Sequence, residues 1–285
     1  MIIVEIISQI IIMKIQDYHA IYINLEQDKE KNKRVQQMLN ALKIKNTRLD
    51  AVYGKNLKDA SYRNKLANIL DVDKQQMTPE FWLNRSNFKT MCRDQNALYG
   101  KIGCYLSHAL ALKTALDKGL NKVLILEDDF DPLENINQQF TIPQNADIFY
   151  LGGSFFHQTN SPVDPRTPHF KIDISKLKMC GTFAYILPSR QKILDTYNVF
   201  MSVFNSGKSH DKHKDWRTGE IKLRAQAADF MYINHFQTNG NAYVINPVRI
   251  AHKEIGSNIQ NNRKKYKIGH FMTDTHKNKL SSYFS

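Results

Sequence analysis

Three adjacent carboxylates, Glu127, Asp128 and Asp129, follow the apolar run KVLIL at Lys122 to Leu126. Consecutive like charges repel one another and are costly unless a cation neutralises them. Hard divalent ions such as Mg2+ or Mn2+ prefer oxygen ligands, and typically reach a protein through one or two carboxylates while sharing substrate phosphates. The triplet therefore suits a metal-bound diphosphate. A plain structural alternative stands beside it, because acidic residues after a strand also cap the next helix or sit solvated in a turn.

The elements around the triplet decide how much weight it carries. KVLIL reads as a compact buried strand, and in open α/β sheets ligands bind beyond the carboxyl ends of the strands. Upstream, Gly103 leads into CYLSHALALKTALDKG, where Leu106, Leu110, Lys113 and Leu116 keep helical spacing and Gly119 is a natural stop. Earlier still, AIYINL after His19 reads as a buried strand, and Val35, Met38, Leu39 and Leu42 recur at helical spacing in the polar stretch Asp28 to Leu42. Strand followed by helix opens an α/β unit.

A second short strand is expected at Thr47 to Val52, closed by Gly54, and Lys55 to Asn96 reads as irregular structure with short helices. Further on, strands are expected at Asp147 to Leu151, Thr182 to Leu187 and Ala242 to Ile245, with Phe155 to Lys178 loop-like. Helices are expected from Arg190 to about Phe200, capped by Pro188-Ser189, and over Ala225 to Phe236, which carries Asp229.

With 285 residues and 42% hydrophobic side chains, the chain has enough apolar surface for one elaborated domain, which excludes disorder as its main state. The balance of 40 Lys+Arg against 27 Asp+Glu, formally +13, raises a polyanion as partner without choosing among nucleic acid, an anionic membrane face and a diphosphate. The abundance of Lys, Asn and Ile, as in AT-rich coding sequence, explains that excess equally well. Cys92, Cys104 and Cys180 are an odd set without CxxC spacing, so neither a disulfide framework nor a zinc knuckle is indicated.

At the start, Met1 to Met13 is apolar yet too short to span a bilayer, which needs about 20 apolar residues. Residues 1–15 read as an apolar leader, either a short packing helix or a stretch ahead of a natural start at Met13. Residues 16–260 read as the folded domain, and 261–285 as a basic tail with Arg263, Lys264, Lys265 and Lys267. With no secretory leader visible, a cytoplasmic location is the default expectation; a host organelle or virus particle stays open.

The segments IYINLEQDKEKNKR, RLDAVYG, GKIGCYLSHALALKTAL, VLILEDDF and PVRIAHKEIGSNIQ occur in the order and spacing of glycosyltransferase family 25, which the chain resembles from about Ile21 to Gln260. The family includes bacterial lipooligosaccharide galactosyltransferases and collagen hydroxylysine galactosyltransferases. The resemblance implies an α/β fold of the GT-A type, a Rossmann-like mixed sheet flanked by helices, with an acidic motif similar to DxD. It implies an inverting transferase moving a hexose, galactose or glucose, from a UDP-sugar with Mn2+ or Mg2+ to a glycan or a hydroxylated protein side chain.

Carried over by residue, the resemblance places Glu127 and Asp128 near the donor ribose and metal waters, and Asp129 as direct metal ligand, with Glu127 also a metal candidate. Asn24 and Arg34 become nucleotide or diphosphate contacts; a strand-end turn and a solvated helix face are their respective alternatives. Gly100 and Gly103 would let backbone approach the donor, although a turn at the start of the helix explains them equally. Ser107 and His108 follow on the same helix, His108 as a catalytic candidate. Asp229 corresponds to the family's late acidic position and is the candidate base or an additional metal contact, against an exposed helix carboxylate.

Two departures stand out: the family commonly has Gln where this chain has His252, and Asp where it has Asn258. His252 could still supply a metal ligand from the far side of the site. The departures motivate a second reading, a nucleotide-sugar-binding protein without catalysis. A third, a nucleic-acid-binding protein, rests on the charge and on RKKYK; no helix-turn-helix, zinc finger or RNP-like aromatic motif supports it, so it ranks last.

Overall fold

The computed structural model describes residues 11–85, 95–157, 167–174, 177–205, 213–214, 221–222 and 228–252. In chain order the strands are β1 (Ile11–Met13), β2 (His19–Asn24), β3 (Asn46–Asp50), β4 (Val123–Glu127), β5 (Phe130–Pro132), β6 (Phe140–Ile142), β7 (Ile148–Tyr150), β8 (Ser154–His157), β9 (His169–Lys171), β10 (Leu177–Cys180), β11 (Ala184–Leu187), β12 (His213–Lys214), β13 (Ile221–Lys222), β14 (Ala242–Ile245) and β15 (Ile250–His252). The helices are α1 (Lys29–Ala41), α2 (Ala60–Leu70), α3 (Pro79–Arg85), α4 (Gln95–Asp117), α5 (Arg190–Asn205) and α6 (Ala228–Tyr232), the last continued by a π-helical turn, Ile233–Gln237.

A seven-stranded mixed sheet in the order β3-β2-β4-β11-β7-β14-β9 forms the centre. β2 runs parallel to both β3 and β4, whereas β11 is antiparallel to β4 and β7. Alternation along these strands feeds two cores, one on each face. Ile21, Ile23, Val123, Ile125, Tyr185 and Leu187 join the core under α4 and α5, with Ile102, Tyr105, Leu106 and Phe200. Ala20, Tyr22, Leu124, Leu126, Ala184 and Ile186 join the opposite core under α1, with Val35 and Leu39. The expected mixed sheet flanked by helices is therefore the fold.

Connectivity picks out one place on that sheet. From β2 the chain passes through α1 to β3 on one side; from β3 it passes through α4 and returns to β4 on the other side of β2. The carboxyl ends of β2 and β4 thus flank a topological switch point, where open α/β sheets leave a crevice for ligands. Asn24 closes β2 and Glu127 closes β4.

Several elements depart from the sequence expectation. α4 begins at Gln95, so Gly100 and Gly103 lie inside a helix and form no turn at its start. A Cβ at Gly103 would sit 2.5 Å from the Val52 carbonyl oxygen and 2.9 Å from the Gly54 nitrogen; the close approach that this glycine permits is between α4 and the Val52–Gly54 loop. The stretch 155–178, expected as loop, contributes to β8, β9 and β10, whose pairing comes from β14 and from each other. β1 pairs with β6, and Met13 and Ile15 are buried, so residues 11–15 belong to the fold. The rest of the leader, residues 1–10, and the tail, 261–285, lie outside the described residues. Among the described residues, no helix is long and apolar enough to cross a membrane.

Candidate functional site

At the end of β4 the chain turns sharply through Asp128 and Asp129 into β5, which pairs antiparallel with β15. Glu127 and Asp128 have their partners on opposite sides. Glu127 continues the side of Ile125, toward α4: its Oε1 lies 3.4 Å from His108 Nε2 and accepts a hydrogen bond from the Thr182 hydroxyl. Asp128 faces the other way, toward β2 and α1. Its Oδ2 accepts from Asn24 Nδ2 at 2.9 Å and its Oδ1 lies 3.4 Å from Lys31 Nζ. Burial pushes the Asp128 carboxyl above its ordinary pKa; hydrogen bonds from Asn24 and the Lys31 charge oppose that shift, and the neighbouring Asp129 adds to it.

Cys104 lies one turn before His108 on α4. Its thiol is a free, half-buried group held well above the usual pKa, first by desolvation and then by the negative charges of Glu127, Asp229 and Asp129. Those three carboxylates come from β4, from the turn after it and from the first turn of α6, a helix that packs against α4. Asp229, expected at this site only through its resemblance to a late acidic position, is half-buried there. Among the described residues no group of three or more His, Cys, Asp or Glu side chains closes around a single metal position.

The structure gives several of the expected contact residues bracing work. Arg34 does not lie on a solvated face: it donates to the carbonyl of Phe130 at 2.7 Å and to that of Asp128 at 3.4 Å, and pairs with Asp131 Oδ1 at 2.6 Å. A forked guanidinium suits this clamp on the acidic turn, where Lys could not match its several bonds. Asn24 is buried, donates to Asp128 and to the Asp28 carbonyl, and accepts from Arg48 Nε at 3.1 Å, which fixes its amide orientation. Ser107 is equally committed: its hydroxyl donates to the Gly103 carbonyl at 2.7 Å and accepts from the Val52 amide at 2.8 Å. Gly100 is half-buried within α4.

At the far rim the late strand enters. His252 stands opposite Phe130 in the β5–β15 ladder, one residue beyond Asp129, which brings its backbone to the acidic turn; its side chain lies outside the described residues, as does Asn258. Gly152 makes this approach possible, since a Cβ there would stand 1.9 Å from the Ile250 carbonyl oxygen. Sequence reasoning missed Lys31, Arg48, Thr182, Tyr185 and Tyr232 at or behind the site. Only Lys31 and Thr182 carried a local signal, each lying beside an element already tied to the motif.

Comparison with known protein families matches residues 18–198 to the model of Glycosyltransferase family 25 (LPS biosynthesis protein). That span holds β2, α1, α4, the acidic turn and β11, and stops short of Asp229 and His252. No curated protein matches the chain.

Proposed function

The chain belongs to glycosyltransferase family 25, and on that premise we propose that it is an inverting, divalent-cation-dependent enzyme that moves a hexose, galactose or glucose, from a UDP-sugar to a glycan or a hydroxylated protein side chain. One observation carries this reading: Glu127 and the Asp128-Asp129 turn lie at the carboxyl end of β4, at the switch point of the sheet, with Asn24, Lys31 and Arg34 converging on that turn.

The donor set fits Mn2+ or Mg2+ held jointly with a substrate. Hard ions accept one or two protein carboxylates when phosphate oxygens and water complete the shell, and Glu127 and Asp129 offer two at the carboxyl end of β4. Asp129 and Glu127 are the proposed holders, with His252 approaching from β15. When bound, the cation neutralises charge developing on the departing diphosphate.

The remaining roles fall to the chain's own side chains. Arg34 and Asn24 hold the acidic turn in shape, so that the Asp129 carboxylate is presented without reorganisation. Lys31, beside Asp128, places positive charge at the same strand end. Asp229, in the first turn of α6, which packs against α4, is the proposed base that takes the proton from the acceptor hydroxyl while the sugar passes through an oxocarbenium-like state.

Calorimetry tests the shared cation directly. Mn2+ titrated into the full chain is expected to bind weakly alone and about a hundredfold more tightly with UDP present, by the reciprocity of linked binding. Equal Mn2+ affinity with and without UDP would contradict the proposed sharing.

A further inference from the structure

Behind Glu127 lies a buried polar chain. His108 is 1% exposed, and Tyr185 and Tyr232 are as deeply buried. His108 Nδ1 is 3.0 Å from the Tyr185 hydroxyl, and that hydroxyl is hydrogen-bonded to the hydroxyl of Tyr232. On the other side of the imidazole, Nε2 lies 3.4 Å from Glu127 Oε1, within ion-pair distance but without the alignment of a hydrogen bond. The His108 ring stacks between Tyr185, at 5.9 Å, and Phe200, at 6.3 Å, so its plane is fixed by packing.

The direction of this chain follows from what each end can accept. Burial holds both tyrosine hydroxyls well above their ordinary pKa, so each keeps its proton. A neutral imidazole carries one N–H and one bare nitrogen. With the proton on Nδ1, the bare Nε2 lone pair would point at a carboxylate oxygen, which is repulsive in a buried site. With the proton on Nε2, that N–H faces Glu127 and Nδ1 accepts from Tyr185, whose oxygen in turn accepts from Tyr232.

We propose that Tyr185 and Tyr232 are positioning residues that fix His108 as its Nε2–H tautomer, and that the positive end of this N–H, by electrostatic attraction across 3.4 Å, steadies the Glu127 carboxylate that the Thr182 hydroxyl binds. The role of Glu127 rests on the transferase reading above; the tautomer does not. His108 thereby acts through Glu127, and the tyrosines act through His108, from inside the core formed by β11, α4 and α6.

Histidine 15N NMR on the full chain, with the His108 signals identified by their loss in His108→Gln, tests it. The wild type is expected to show the Nε2–H tautomer at His108. Tyr185→Phe, which keeps the ring and removes the donor to Nδ1, is expected to move His108 to a tautomer mixture. It should also lower kcat for the UDP-sugar about tenfold, as loss of an outer orienting partner typically does, with KM changed less than twofold. Tyr232→Phe should shift both readouts in the same direction and by less, and serves if Tyr185→Phe folds poorly. An Nδ1–H tautomer in the wild type overturns the proposal, as does an unchanged tautomer or an unchanged kcat in Tyr185→Phe. Absence of turnover with every UDP-hexose would instead count against the transferase reading, while the NMR result would still decide the hydrogen-bonded chain.

Discussion

Asp129→Ala is expected to lower UDP-sugar turnover by about a hundredfold or more, the scale on which a single preorganised electrostatic contact acts in a transition state, while the chain remains folded. The carboxylate lies in the turn directly after β4, and its charge, with those of Glu127 and Asp229, raises the Cys104 thiol pKa after desolvation. The turn itself is held by Arg34 and Asn24 rather than by this side chain, so a thermal midpoint close to that of the wild type is expected. Asp129→Asn keeps the shape and should lose activity to a similar degree, since a neutral amide cannot replace a charged ligand. Steady-state UDP release and a melting curve on both variants check this; retention of half the wild-type rate by either would remove Asp129 from the reaction.

The second large effect lies in packing. A Cβ at Gly54 would sit 1.7 Å from the Tyr99 carbonyl oxygen and 2.5 Å from its carbonyl carbon. Both are backbone atoms of α4, so no side chain can swing away. Gly103 answers from the other side, its own Cβ position crowding Val52 and Gly54. The two glycines let the loop after β3 lie directly on the helix that carries Cys104, Ser107 and His108, and the Ser107 hydroxyl closes the contact on the Val52 amide. Gly54→Ala must push loop and helix apart, at about 3 kcal/mol, the upper range of overpacking costs. A fall in melting temperature of roughly 6–10 °C is expected on that basis. An unchanged melting temperature would mean that the loop yields without cost and that the glycine contact does not fix α4.

Much of the frame was legible because its signals are local. Ala242–Ile245 appears with the expected bounds, and His19–Asn24 and Val123–Glu127 within a residue or so of them, since continuous β-branched and apolar runs leave little alternative to a strand buried on both faces. The strands within 155–178 were not legible, because they are short and polar and their pairing is supplied by partners elsewhere in the chain. The start of α4 was misplaced for a related reason. Gly100 and Gly103 weaken helix propensity locally, and at Gly103 only the loop packed against the helix explains the glycine.

At the site, the triplet Glu127-Asp128-Asp129 was visible as chemistry, whereas the division of labour within it was not. Asp128 lies toward Asn24 and Lys31, and Glu127 toward His108. Those partners sit far along the chain from the triplet, as do Tyr185 and Tyr232 from His108. Arg34 shows the same limit: in sequence it is one cation on a polar helix, and in the fold it clamps the backbone of the acidic turn.

The central claim is UDP-sugar turnover supported by a divalent cation, and a screen of the full-length chain over UDP-hexoses with Mn2+, Mg2+ or EDTA tests it most directly. UDP release from UDP-galactose or UDP-glucose is expected with Mn2+ or Mg2+ and is expected to vanish in EDTA. Full activity in EDTA, or binding of UDP-hexoses without any release of UDP in the presence of glycan and hydroxylated-peptide acceptors, would contradict it.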